Sequence, residues 1–233
     1  MKILAFETSA KAGSVALTED GKLLGQSYQN TGLTHSQTLM TMTQDLLKSC
    51  GVTAGDVDAV AVAAGPGSFT GVRIGVAAAK GFAWGGEKPC LGVSTLEAMA
   101  TGLGVYDGYV LGAMDARRNQ VYTATFLAEK GKLTRITEDR AISLEELGAE
   151  IKNLKKPIFL VGDGSVLCYN TLSETGPTLI LPPEHTMHQR AVGVALVAAQ
   201  QLTAGAEGNG ATLTPNYLRL SQAERERLAK QEK

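Results

Sequence analysis

The sequence predicts an α/β protein built as two β-β-β-α-β-α halves, and three observations predict it. Short apolar runs alternate with stretches of helical spacing along the whole chain, so strands and helices interleave. Landmarks of the first half recur in the second in the same order. Gly21-Lys22-Leu23 answers to Gly131-Lys132-Leu133, Gly65-Pro66-Gly67-Ser68 to Gly162-Asp163-Gly164-Ser165, and Glu7, closing the first strand, to Asp115. Glycine makes up 27 of 233 residues, above the usual ~7%, which suits tight turns and close backbone packing.

Taken in order, Lys2–Glu7 is an apolar run and reads as a buried strand. Gly13–Thr18 and Lys22–Gln29 flank Asp20-Gly21, a hairpin signal. Thr34 or Ser36 caps a helix to about Cys50, with Leu39, Met42, Leu46 and Leu47 near helical spacing and Gly51 as its stop. Asp58–Ala64 is a fully apolar strand, Gly65–Ser68 a tight turn, and Phe69–Trp84 a helix despite Gly71 and Gly75. Leu91–Val93 is a short strand, and Ser94-Thr95-Leu96-Glu97 fits a capping box.

In the second half Tyr109–Met114 is a strand, residues 115–119 a turn, Gln120–Leu127 a strand, and Lys130-Gly131 turns into Lys132–Thr137. Ser143-Leu144-Glu145-Glu146 opens a helix to about Leu154. Pro157–Val161 is a strand closed by Gly162–Ser165, and helices follow near Val166–Leu172 and Gln189–Leu202. Gly205–Gly210 is a loop and Ser221–Lys233 a charged final helix. Two such halves facing one another make the plan of the actin-like superfold shared with sugar kinases. The expected division is an N-terminal subdomain, residues 1–105, and a degenerate C-terminal one, residues 106–233, its last helix free to pack back on the first.

Composition narrows the function. The formal net charge is −1, which argues against a strongly basic nucleic-acid module. Apolar residues at 44% supply a sizeable core, while aromatics at 5% leave it to Val, Leu, Ile and Ala. The three cysteines, Cys50, Cys90 and Cys168, are widely spaced, so neither a disulfide framework nor a zinc knuckle is expected. Glu7 comes too early for a signal peptide, and the apolar stretches fall short of a membrane span, so a soluble cytoplasmic protein is expected.

Few residues invite chemistry. Gly65-Pro66-Gly67-Ser68 opens a helix and offers backbone N–H groups to an anion, with Arg73 in reach; the alternative is a turn that needs glycine only for its backbone angles. It is not a P-loop, since no Gly-Lys-Ser or Gly-Lys-Thr follows. Nucleotide candidates are Glu7, Gly65, Gly67, Ser68, Asp115, Gly162 and Gly164; Glu7 and Asp115 suit a hydrated Mg²⁺, or are solvated turn acids. His35, His185 and His188 form no metal set, no Gly-x-Ser-x-Gly elbow occurs, and no catalytic or metal-binding residue is assigned. Gly71, Gly75 and Ala79 form a small-residue stripe, and Arg73, Ala77, Lys80 and Trp84 lie on another face of a helix with little polar surface. That helix is buried by its own sheet or by a partner. The partner-interface candidates are Leu39, Met42, Leu46, Arg73, Val76, Ala77, Lys80 and Trp84.

Four phrases carry a family resemblance: Ile3–Ser9, Ala64–Gly75, Asp115–Tyr122 and Pro215–Arg219. Together they resemble the TsaB (YeaZ) family of the bacterial threonylcarbamoyladenosine tRNA-modification machinery, over essentially the whole chain. The resemblance implies an actin-like fold and a complex with the catalytic paralogue TsaD and the ATPase TsaE. That complex moves threonylcarbamoyl from its adenylate onto the adenosine beside the anticodon of tRNAs that read codons beginning with A. It further implies a heterodimer with TsaD through the helices at His35–Cys50 and Phe69–Trp84, and a homodimer through the same general surface when the chain is alone. The catalytic paralogue carries a His-x-x-x-His metal motif where this chain has Ser94-Thr95-Leu96-Glu97-Ala98-Met99, and an acidic pair where this chain has Ala10-Lys11-Ala12-Gly13. The expected role is thus a non-catalytic partner with no intrinsic cofactor, ATP and Mg²⁺ being used by the complex and tRNA met through it. The alternatives are an actin-like enzyme with its own kinase or hydrolase activity and, less supported, a peptidase.

Overall fold

The computed structural model describes residues 1–174 and 176–219. Two sheets organise them. The first has strand order β3-β2-β1-β4-β5, from β1 (Lys2–Glu7), β2 (Gly13–Glu19), β3 (Lys22–Gln29), β4 (Ala59–Gly65) and β5 (Cys90–Ser94). β1 runs antiparallel to β2 and parallel to β4, as an apolar central strand covered on both faces should. The second sheet has order β11-β10-β6-β7-β8, from β6 (Gly108–Asp115), β7 (Gln120–Glu129), β8 (Lys132–Arg135), β10 (Ile158–Val161) and β11 (Leu179–Ile180); β9 (Arg140–Ser143) pairs with β7. The two hairpins repeat one another. Asp20 and Gly21 have φ of 48° and 79°, and Lys130 and Gly131 have 52° and 75°, the left-handed pair that a two-residue turn between twisted strands demands.

Strand alternation sorts the first sheet's side chains onto two faces. Leu4, Phe6, Val15, Val60 and Val62 meet Leu39, Met42, Leu46, Val72 and Val76 from α1 (His35–Ser49) and α2 (Phe69–Trp84). Each such fully buried side chain contributes about 1.5–3 kcal/mol. On the other face Ala5, Ala16, Ala61 and Ala63 are small, so α7 (Ala191–Thr203) packs close with Val194, Val197 and Ala198. A Cβ on Gly193 would lie 2.0 Å from the Ala98 carbonyl of α3 (Thr95–Thr101), so this helix crossing requires glycine. α3 turns Leu96, Met99 and Ala100 to Val110, Met114 and Phe126 of the second sheet. The far face of that sheet is covered by α4 (Leu144–Ile151) and α5 (Ser165–Leu172) through Leu147, Ile151, Leu160 and Cys168. Thus α3 and α7 lie between the sheets, and the chain beyond residue 190 returns to the first: the Ala191 N–H donates to the Ser14 hydroxyl at 2.8 Å.

Four elements go beyond the sequence reading: a 3-10 turn at Ala54–Asp56, β9, β11 and α6 (Glu184–Met187). β9 and β11 have four and two residues, and their strand state is set by neighbours, Gln120 opposite Ser143 and Ile158 opposite Leu179, rather than by periodicity. The expected final helix, Ser221–Lys233, lies outside the described residues. Among the described residues no helix is long and apolar enough to cross a membrane.

Candidate functional site

The halves face each other across a cleft of about 440 Å³, whose walls include Ser9, Lys11, Ser68, Asp115, Asp163 and Arg219. The Gly65–Ser68 turn forms one wall, and its glycines are demanded by this chain's own backbone. A Cβ on Gly67 would lie 2.5 Å from the Ser9 carbonyl, and one on Gly71 2.1 Å from the Thr8 carbonyl. The Ser68 N–H donates to the Ser9 carbonyl at 2.6 Å, and the Thr8 hydroxyl donates to the Gly71 carbonyl at 2.8 Å. Gly65, at φ +119°, leaves room for the Asn216 carbonyl, and the Asn216 N–H donates to the Ala64 carbonyl at 2.6 Å. The segment Leu213–Arg219 is therefore a strap across the turn. Tyr217 stacks on Phe69 at 4.7 Å between ring centroids. Arg73 lies 3.8 Å over the Phe69 ring and donates from Nε to the Tyr217 hydroxyl at 2.6 Å. Arg219 donates to the Ala116 carbonyl at 2.7 Å, which ties the strap to the second half.

The nucleotide candidates separate on this geometry. Ser68 is exposed on the cleft, its Oγ capping α2 by accepting from the Gly71 N–H at 3.3 Å. Gly65 faces the strap, Gly67 lines the cleft while packing against Ser9, and Arg73 is engaged by Tyr217 and Phe69. Gly162 and Gly164 do not line the cleft. Their N–H groups donate to the Met187 and Ala113 carbonyls at 2.7 and 3.0 Å, and a Cβ on either would meet β6 backbone at 2.2 and 2.9 Å. The second turn is thus packed against the end of β6, with these two N–H groups engaged within the chain.

Glu7, expected at a cleft edge, is fully buried. Its Oε1 accepts from the Ser9 N–H at 2.6 Å, while Oε2 has no hydrogen-bond partner among the described residues. Burial pushes its carboxyl up to about 7, the nearby charge of Asp163 adding to the shift and the Ser9 hydrogen bonds opposing it. Asp163 is raised as well, first by burial, against the Gln189 amide that donates to it at 3.0 Å. Asp115 accepts from the Arg117 N–H at 2.7 Å and pairs with its guanidinium at 3.2 Å, holding a hairpin loop in which Arg117, Arg118 and Asn119 all take positive φ. His35 Nε2 bonds the Ala10 carbonyl at 2.8 Å, and His188 pairs with Glu184 at 3.0 Å. Among the described residues no group of three or more His, Cys, Asp or Glu is placed to hold a metal ion.

The second candidate surface is the outer side of α2. Arg73, Ala77 and Trp84 are exposed, Trp84 at 83%, while Lys80 is half-buried and donates to the Leu213 carbonyl at 3.1 Å. Leu39, Met42, Leu46 and Val76 are at most 7% exposed and pack in the core against the first sheet. Just before and on α1, the large apolar side chains left exposed are Leu33 and Met40, which sequence reasoning missed. Their signal is faint, because one exposed methionine amid Gln37, Thr41 and Gln44 breaks no polar pattern. The strap was missed as well: Pro215–Arg219 is distinctive in sequence, but no periodicity says where it docks.

Comparison with known proteins places this architecture. The family described as TsaD, tRNA N6-adenosine threonylcarbamoyltransferase, matches residues 29–227. The tRNA threonylcarbamoyladenosine biosynthesis protein TsaB of Escherichia coli (strain K12) is 35% identical over 222 residues, covering 94% of this chain and 95% of that one. The structure of YeaZ from Pseudomonas aeruginosa superposes with a TM-score of 0.79 at 28% identity, over 93% of this chain and 99% of its own. An inorganic polyphosphate/ATP-glucomannokinase from Arthrobacter sp. strain KM shares the fold alone, with a TM-score of 0.51 at 13% identity. The fold is actin-like, and the chain belongs to the TsaB (YeaZ) family of tRNA threonylcarbamoyladenosine biosynthesis proteins.

Proposed function

We propose that this chain is a non-catalytic partner subunit in tRNA threonylcarbamoyladenosine biosynthesis, docking on a TsaD-type catalytic subunit through the outer face of α2. The observation that carries the docking face is Trp84, a large aromatic left 83% exposed on a helix whose other outward positions include Arg73, Ala77 and Gly81. Tryptophan and arginine are the side chains that most often dominate interface energies, and small neighbours let a second helix approach. The non-catalytic part rests on the cleft. The strap packs on Gly65, the Ser68 N–H is spent on the Ser9 carbonyl, the Gly162 and Gly164 N–H groups are spent inside the fold, and residues 94–99 hold no histidine. In this reading ATP and Mg²⁺ serve the assembled complex, TsaE joins it, tRNA is met through it, and all of this takes place in the cytoplasm. Alone, the chain pairs with a second copy through the same face, so homodimer and heterodimer compete.

Size-exclusion chromatography with and without the TsaD-type subunit tests the docking face. The wild type is expected to exchange a homodimer for a heterodimer. Ala77→Glu, at an exposed position that the fold tolerates, is expected to weaken both by at least thirtyfold, because docking would desolvate an unpaired carboxylate. Unchanged elution of the Ala77→Glu mixture rejects this face.

A further inference from the structure

A second cavity, of about 750 Å³, opens between the halves, and none of the cleft residues line it. Its volume falls in the usual range for small-molecule sites. The wall is mostly apolar: Met99 and Leu103 around the end of α3, Phe159 of β10, Leu181 after β11, and Val192 and Leu196 of α7. Phe159 is stacked by Tyr106 at 4.7 Å, and beside it Val105 stands 80% exposed. One rim is polar, formed by His185, His188 and Arg190. The neighbouring acid Glu184 pairs with His188 at 3.0 Å. Arg190 donates to the His185 carbonyl and lies 4.4 Å over the Tyr28 ring, but among the described residues it has no ion pair. A half-buried guanidinium with no ion pair among the described residues thus stands at the end of an apolar cavity.

We propose that this cavity binds an amphipathic carboxylate, a linear fatty-acid-like molecule. Its hydrocarbon chain lies along Leu103, Phe159 and Leu196, and its head group pairs with Arg190. A single guanidinium matches the two oxygens of a carboxylate in geometry and charge, whereas a phosphate dianion would call for a second cation. The apolar wall supplies affinity through the tail, at about tenfold for each two methylenes buried. This site is independent of the docking face, so its failure leaves the partner reading standing.

Titration calorimetry of the full chain with octanoate, decanoate and dodecanoate, kept below their micellar concentrations, tests the proposal. Saturable one-to-one binding that tightens about tenfold per two methylenes is expected, with dodecanol weaker than dodecanoate. Arg190→Ala is expected to weaken dodecanoate at least tenfold and to bring it level with dodecanol. Gly102→Trp is expected to abolish binding without changing the melting temperature. Gly102 is exposed on the cavity rim, and a Cβ there would meet only the Met99 carbonyl, at an ordinary 3.8 Å. No saturable binding, or binding that Arg190→Ala and Gly102→Trp both leave unchanged, overturns the proposal.

Discussion

The two Gly-x-Gly-Ser turns of this chain look alike on paper and differ in what surrounds them. In the first, Ser68 is the N-cap of the 16-residue α2 and stands exposed on the cleft. In the second, Gly164 takes the cap position, and Ser165 falls inside the eight-residue α5, buried with no hydrogen-bond partner for its hydroxyl among the described residues. The first turn is crossed by the strap from Leu213 to Arg219; the second is pressed against the end of β6. In both places the repeat brings backbones close together, whatever else the first turn does at the cleft. Glycine answers to steric demand in both, and anion binding is only one source of that demand.

The sharpest way to break this comparison is to add a Cβ where backbone lies in the way. Gly71→Ala and Gly162→Ala each place a methyl about 2 Å from a carbonyl oxygen, and Gly162 adds a φ of +108°. Each is expected to cost about 3 kcal/mol or more, read by urea denaturation. A loss below about 1 kcal/mol at either position would mean that its glycine is kept for something other than packing.

Next in size is the contrast between the strand-end acids, Glu7 fully buried and Asp115 half-buried. Below pH 4.5 Glu7 is protonated in both the folded and the unfolded chain. Between 4.5 and about 7 only the unfolded chain sheds the proton, so stability falls as pH rises through that window and is flat above it. The fall amounts to about 3 kcal/mol. Glu7→Gln is expected to remove this slope and to melt higher than wild type at pH 8, whereas Asp115→Asn should cost no more than ~1 kcal/mol. Parallel melts at pH 5 and pH 8 decide; a wild-type stability that rises over this range contradicts the assignment.

The strap gives a smaller effect. Tyr217→Ala loses the stack on Phe69 and the Arg73 hydrogen bond, at about 1–2 kcal/mol. Arg73→Ala and Tyr217→Ala should couple by about 1 kcal/mol in a double-mutant cycle, since the side chains share one contact. Additivity would detach Arg73 from the strap. The smallest test is chemical. Burial pushes the thiols of Cys90 and Cys168 up to about 11 and about 12, so a thiol reagent should label half-buried Cys50 first and reach the other two only on unfolding.

Much of this fold was legible in the sequence because the signals are local. Asp20-Gly21 and Lys130-Gly131 fix their hairpins, Ser143 and Glu146 form the capping box that α4 shows, and Phe69–Trp84 runs as read. The site was less legible because it is made by distant segments. Leu39, Met42, Leu46 and Val76 carry the same apolar signature whether a helix faces its own sheet or a partner, and only the sheet's position settles which. The strap lies about 150 residues from the turn it covers, and one hydrogen bond from Asn216 to Ala64 identifies it.

The central claim, that this chain serves a catalytic partner and does not itself transfer, is tested most directly by a threonylcarbamoyl-transfer assay on tRNA. The arms are the purified chain, the TsaD-type subunit with TsaE, all three proteins together, and all three with Ala77→Glu in this chain. The account predicts no product from the chain alone, full activity only with all three, and loss of that activity with Ala77→Glu. Transfer by the chain alone, or full activity without it, would contradict the account.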